Sequence, residues 1–136
     1  MIDGKLLHGE ITELAIRAFF HVYNALGYGF LEKVYENALA LTLRKWGLSV
    51  GQQVPLKVSF EGMVIGEYFA DLVVANRVIV GLKAVEAIHP SHEAQLLNYL
   101  RATDVEVGLI LYFGPKAEYR RKIFSNERKG GPIMMG

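Results

Sequence analysis

The chain contains no cysteine, so disulfides and thiolate metal sites are excluded. That absence fits a reducing compartment, and a cytoplasmic location is expected. Long apolar runs are missing too. The longest, such as Leu109-Ile110-Leu111-Tyr112-Phe113, fall far short of the roughly 20 residues a bilayer-crossing helix needs. No membrane partner is expected. The start, Met1-Ile2-Asp3-Gly4-Lys5-Leu6-Leu7-His8, lacks the apolar core of a signal peptide. Proline is scarce: four residues, none inside a helical pattern. The net charge of +1 is too small for bulk charge to name a partner.

What is present is a globular balance. Hydrophobic residues make up 51% and charged residues 21% of 136 positions, which argues against disorder and suits one hydrophobic core. The expected organisation is a single domain over 1–129 with a flexible tail over 130–136. Charge is unevenly placed. Lys116 to Lys129 holds six basic residues against two acidic ones, leaving a mildly acidic remainder. Arg120, Arg121 and Lys122 at its centre are candidate phosphate contacts. The plainer reading is an edge strand kept soluble by its charges, and it is slightly favoured.

Periodicity divides the chain. Ile11, Leu14, Ala15, Ala18, Phe19, Val22 and Leu26 recur at helical spacing, giving a helix over about 10–26. Gly27-Tyr28-Gly29 ends it. A second helix over about 31–46 shows the stripe Leu31, Val34, Tyr35, Ala38, Leu39 and Thr42, and Gly47 stops it. The period then becomes two. Val54, Leu56, Val58 and Phe60 alternate with polar residues, with Pro55 marking an edge strand. Glu61-Gly62 is a turn, followed by strands over 64–74 and 78–85. His89-Pro90-Ser91 opens a third helix ending near Ala102. Val107–Phe113 reads as a strand buried on both faces, and Ala117–Ser125 as a last strand. The order is α-α-β-β-β-α-β-(β): an α/β or α+β layered domain with helices covering a mixed sheet. An exposed edge strand leaves room for a homodimer.

The centre of interest is Tyr68-Phe69-Ala70-Asp71-Leu72-Val73-Val74, the turn Ala75-Asn76-Arg77, and Val78-Ile79-Val80-Gly81-Leu82-Lys83. An Asp and a Lys inside such apolar strands are costly to desolvate unless they pair or serve a site. A three-residue turn places Leu72 opposite Val80 and Asp71 opposite Gly81, with Lys83 on the same sheet face as Asp71. Taken alone, a sheet-holding ion pair and a functional site are equally good accounts. Glu32 opens the second helix, where the helix dipole favours a carboxylate, and Tyr35 shares its face. His92, Gln95 and Tyr99 share one face of the third helix. The His89-x-x-His92 spacing lacks a third ligand, so zinc is not expected.

Together these residues resemble the GxxExxY proteins. Gly29-Phe30-Leu31-Glu32-Lys33-Val34-Tyr35 carries the motif. Gln53-Val54-Pro55-Leu56, Gly66-Glu67-Tyr68-Phe69-Ala70-Asp71-Leu72, Leu82-Lys83-Ala84-Val85-Glu86 and Glu93-Ala94-Gln95-Leu96-Leu97-Asn98-Tyr99-Leu100 look like its further blocks, in order. The resemblance covers about 10–124. That family is assigned to the PD-(D/E)xK nuclease-like superfamily, which implies a restriction-endonuclease-like αβββαβ core with an extra N-terminal helix.

The resemblance also implies metal-dependent cleavage of DNA or RNA phosphodiester bonds with Mg²⁺ or Mn²⁺. Asp71, Glu32 and the Leu82 backbone carbonyl would be the metal ligands. Lys83 would act on the attacking water or the phosphate, and Gln95 and Tyr99 match a QxxxY pattern beside the site. One departure stands out. Gly81 occupies the place of the second motif acid, two before the Lys. Tyr28 also replaces a proline common between the two loop glycines. Loss of one carboxylate weakens a hard-cation site, so the alternative is a non-catalytic nucleic-acid or protein-binding module on the same fold. Of the nearby carboxylates, Glu67 lies on the strand face of Asp71 but about 13 Å along it, too far to share an ion unless the strand bends, and Glu86 could reach the site only by folding back from a loop. A small-molecule or purely structural domain ranks last.

Overall fold

A computed structural model of the chain describes residues 7–129 and the backbone of 134 and 135. The elements follow the expected order. Helix α1 spans Gly9–Leu26 and α2 Glu32–Lys45; β1 spans Val50–Phe60, β2 Met63–Val74 and β3 Val78–Lys83; then come α3 (Pro90–Arg101), β4 (Val107–Phe113) and β5 (Ala117–Ile123). A two-residue strand, β6 (Met134–Met135), pairs with Val58 and Ser59 of β1. Otherwise the expected tail over 130–136 lies outside the described residues. Among the described residues, no helix is long and apolar enough to cross a membrane.

The strands form a mixed sheet in the order β5-β4-β3-β2-β1-β6. Only β3 and β4 run parallel, because α3 carries the chain between them. This is the α/β layout expected of a restriction-endonuclease-like core, with helices on both faces. On one face, α1 and α2 cover Leu72, Val74, Val78, Val80, Leu82, Leu109 and Leu111. On the other, α3 covers Ala70, Ile79, Ile110 and Tyr112 through Leu96 and Leu100. Alternate residues of β4 thus meet different helix layers, which is why all seven positions of that strand are buried.

The α1–α2 layer is pinned by aromatic packing. The Phe19 ring meets Phe113 edge-on at 4.9 Å, and Tyr35 stacks on Phe113 at 4.1 Å. Each such pair adds about 0.5–1.5 kcal/mol beyond its buried area. The apolar stripe read from α2 was partly misphased. Tyr35 and Leu39 are buried, but Leu31 is 80% exposed and Val34 is also at the surface. Leu31 is the residue before the helix, and the inward face is completed by Leu43, Ala40 and Glu36.

The α3 layer sits low on the sheet. A Cβ on Gly108 of β4 would lie 2.6 Å from a Leu96 methyl, so the bare backbone there admits the helix. The start of α3 is built by its two histidines. The Ser91 N–H donates to His89 Nδ1 at 3.1 Å, and the His89 N–H donates to His92 Nδ1 at 3.4 Å. The His-x-x-His spacing is a helix cap.

The β2–β3 turn matches its expected register. Leu72 pairs with Val80, Val73 with Ile79 and Val74 with Val78. Ala75 and Asn76 take left-handed backbone angles to close it. The β1–β2 pairing, by contrast, is irregular at two points: its register shifts between Val58 and Ser59, and one position nearer the other end drops out of the ladder. Gln52 pairs with Leu72 and Val54 with Ala70, but Gln53, at φ 50°, interrupts the ladder. Both strands change face across the break. Leu72 and Val74 point to α1 and α2, whereas Ala70 points to α3. This corrects the expectation for Glu67: a regular strand would put it on the face of Asp71, but the break turns it to the other face, where it pairs across to Lys57.

Candidate functional site

Residues of α2, β2, β3, α3 and β4 meet over the α3 face of the sheet beside Gln53. Ala70 and Asp71 of β2 both line the cavity there. The cavity holds about 220 Å³ and is also lined by Glu32, Gly81, Lys83, His92, Gln95 and Tyr99. All five candidate catalytic residues therefore share one space.

Glu32 reaches it through the loop that precedes α2. Gly29 sits at φ 114°, a conformation that strains any side-chain-bearing residue. The Tyr35 hydroxyl donates to the Gly27 carbonyl at 2.6 Å and accepts from the Phe30 N–H at 3.1 Å. One buried ring thus clamps both sides of the loop. Glu32, the first residue of α2, then accepts from the Ala84 N–H at 3.2 Å, at the end of β3. In this chain, the Gly, Glu and Tyr of the motif are the turn, the carboxylate it delivers and the pin that fixes it. Burial raises the pKa of Glu32; the Ala84 hydrogen bond opposes this, and the nearby Asp71 charge adds to it.

Asp71 is held from two directions. Its Oδ2 accepts from the Leu82 N–H at 2.8 Å, and its Oδ1 from Gln53 Nε2 at 3.3 Å. Gln53 Nε2 donates also to Glu36 Oε1 at 2.7 Å. Glu36 is 3% exposed, one turn beyond Glu32 on α2. Its other oxygen accepts from Gln52 and Lys33, each at 2.8 Å. Burial pushes the Glu36 carboxyl up, but hydrogen bonds from Lys33, Gln52 and Gln53 outweigh it, and the net pKa lies below the usual value. Sequence reasoning did not single out Glu36. An acid one position from Tyr35 carries no periodic sign that it faces inward.

Lys83 lies two residues past Gly81 and hydrogen-bonds Gln95 Oε1 at 3.5 Å. Tyr99 is half-buried, and burial and the Asp71 charge raise its hydroxyl pKa. Burial lowers the pKa of His92, and Lys83 and His89 lower it further. At Gly81, an added Cβ would meet only the Leu109 carbonyl at 3.9 Å. The backbone there accepts a side chain without strain; the missing acid is not excluded by crowding.

The other candidates are placed elsewhere. Glu86 is exposed and accepts from the Tyr28 hydroxyl at 2.8 Å. Tyr28, where the loop departs from the common proline, thus partners Glu86, and neither residue lines the cavity of Asp71. β5 is the edge strand, and its basic residues are engaged within the fold. Arg120 and Lys122 pair with Glu93 of α3, while Arg121 donates to the Leu7 carbonyl at 2.6 Å. Arg120 and Lys122 thus share one carboxylate, while Arg121 has a carbonyl and, among the described residues, no acid beside it.

The donor set was weighed against a divalent cation. Among the described residues, no group of three or more His, Asp or Glu is placed to hold a metal ion. Two carboxylates, Asp71 and Glu32, do line one cavity, close enough for Asp71 to raise the Glu32 pKa. Mg²⁺ is commonly held by one or two carboxylates with waters and substrate phosphate completing its shell. The residues fit such an open, two-carboxylate site and not a closed protein cage.

A family model described as the PD-(D/E)XK nuclease superfamily matches residues 9–122, from the start of α1 through Lys122 of β5. No curated protein and no solved structure matches the chain.

Proposed function

The chain belongs to the PD-(D/E)XK nuclease superfamily, and we propose that it is a metal-dependent phosphodiesterase acting on DNA or RNA, weakened by the glycine at position 81. The observation that carries this reading is the single cavity lined by Glu32, Asp71, Lys83, Gln95 and Tyr99. Asp71, Glu32 and the Leu82 carbonyl would hold Mg²⁺ or Mn²⁺. When bound, the ion supplies positive charge to the phosphoryl oxygens and lowers the pKa of water.

The chain's own groups do the rest. Gln95 accepts from the Lys83 ammonium and holds it toward the cavity, where it can offset charge growing on the phosphate. Gln53 and the Leu82 N–H fix both oxygens of Asp71. Tyr99 stands at the same wall as a hydroxyl donor to a phosphate oxygen. A water oxygen adds to phosphorus and the bond to the leaving ester oxygen breaks. The products are one phosphate monoester and one hydroxyl.

The finer assignment is a GxxExxY-type member, supported by the Gly29, Glu32 and Tyr35 clamp, working in the cytoplasm as one domain over 1–129. β5, as the sheet edge, is the natural seam for a homodimer. Gly81 favours a second reading, a nucleic-acid or protein-binding module that has lost catalysis.

The deciding experiment incubates the protein with single-stranded DNA, duplex DNA and RNA in Mn²⁺, beside Lys83→Ala and Asp71→Asn. Cleavage that needs the metal and both side chains supports the enzyme. Absence of such cleavage, with cleavage appearing in Gly81→Glu, establishes the inactivated module.

A further inference from the structure

A second cavity, of about 450 Å³, adjoins the first, and the two share Gln95 and Tyr99 as a common wall. Its volume lies within the roughly 300–1,000 Å³ typical of small-molecule pockets. The far side is Tyr68 of β2 with Val58 of β1, and Asn98 and Arg101 of α3 complete it. The Tyr68 and Tyr99 rings touch, with centroids 5.7 Å apart. Tyr68 is nevertheless 48% exposed, so one aromatic surface is left open.

We infer that this second cavity is a pocket for one unpaired nucleobase of the strand whose phosphate occupies the first, so that the substrate is single-stranded or frayed nucleic acid. The inference rests on the proposed function and names its substrate class. The chemistry of the lining supports a base over a generic apolar ligand. Tyr68 offers a π face on which any base can stack. Asn98 carries an amide able both to donate to and accept from a base edge, and Arg101 brings a cation for the flanking phosphate.

The geometry supports an unpaired base over a duplex. A paired base is stacked between its neighbours and presents only its edges, whereas filling a side cavity requires the base to leave the stack. The shared wall ties the two cavities together, with a phosphate beside Lys83 on one side of Tyr99 and a base on the other. The same break in the ladder that delivers Asp71 also turns Tyr68 toward α3.

The test is fluorescence anisotropy with a short labelled oligothymidylate and a blunt duplex of equal length, in Mg²⁺, with cleavage followed on gels from the same samples. The single strand is expected to bind more tightly than the duplex. Tyr68→Ala should weaken single-strand binding by about 5- to 150-fold, the loss of one base–aromatic stack, and leave duplex binding unchanged. Tyr68→Phe should bind as the parent does. An oligonucleotide with abasic sites should lose the same affinity on the unaltered protein, which reads the pocket even if Tyr68→Ala folds poorly.

Equal affinity for strand and duplex, or single-strand binding indifferent to both Tyr68→Ala and abasic substitution, overturns the pocket. Tyr68-dependent strand binding without cleavage supports the pocket while removing the nuclease reading. Cleavage indifferent to Tyr68 and to abasic substitution does the reverse.

Discussion

Glu36 and Asp71 are joined by one amide nitrogen, that of Gln53, which donates to Glu36 Oε1 at 2.7 Å and to Asp71 Oδ1 at 3.3 Å. Removing the inner acid costs that amide its shorter hydrogen bond and takes a charged acceptor from Gln52 and Lys33. Glu36→Ala should lower stability by about 2–4 kcal/mol, since the carboxylate is buried and its donors lose a charged acceptor. Urea unfolding with an unchanged slope and a lower midpoint is the expected result. Glu36→Gln, which keeps the shape and one acceptor, should lose less.

Gly81→Glu should make the protein more responsive to metal. The site is open enough for the side chain, and the added charge joins Glu32 and Asp71. Without metal, three like charges should lower the melting temperature. With Mn²⁺ the order should reverse, because an ion that binds only the folded state stabilises it by mass action. Thermal scans with and without Mn²⁺ check this; a variant indifferent to Mn²⁺ removes Gly81 as the explanation for a weak site.

Acid should destabilise the fold in two stages. The His92 pKa is lowered in the folded chain, first by burial. The unfolded chain then binds more protons over that range, so the contribution is complete above the unfolded value of about 6.5 and is lost as pH falls through the folded value. Glu36, also lowered, adds a second loss below the ordinary carboxylate value of about 4.3. Stability measured from about pH 8 to about pH 5 should fall, and His92→Gln should flatten that slope.

Glu32 has the opposite sign. Its pKa is raised, chiefly by burial, so its protonated form favours folding and that benefit is lost as pH rises through the folded value. Near neutrality, Glu32→Gln should therefore raise the unfolding midpoint, with the amide oxygen still accepting from Ala84. The same change should abolish any stabilisation by Mn²⁺. A destabilised variant would mean that Glu32 is a structural anchor alone.

Much of the site was legible because strand arithmetic is strict. A three-residue turn at Ala75-Asn76-Arg77 set Leu72 against Val80, and from that pair followed the shared face of Asp71 and Lys83. Val107–Phe113 was readable to the residue, since a strand covered on both faces is a continuous apolar run. What escaped were departures from period. Gln53 looked like an outward position of an alternating strand; nothing in its side chain announces a left-handed backbone. That break reversed the facing of Glu67. Glu36 was missed for a related reason: a charge beside an apolar stripe reads as solvent-facing until its donors, Gln52 and Gln53, arrive from another element.

Gly108 bears no chemistry and touches no candidate catalytic residue, yet it governs the aperture of the cleft. Leu96 rests on it between Gln95 and Tyr99, the helix-borne half of the site. The strand-borne half, Asp71 and Lys83, belongs to a different layer. The gap between the halves is thus a packing quantity, set by a hydrogen atom where any other residue would place a carbon. Enlarging that one position would tilt or lift the helix and separate the halves while leaving every reactive group in the chain intact.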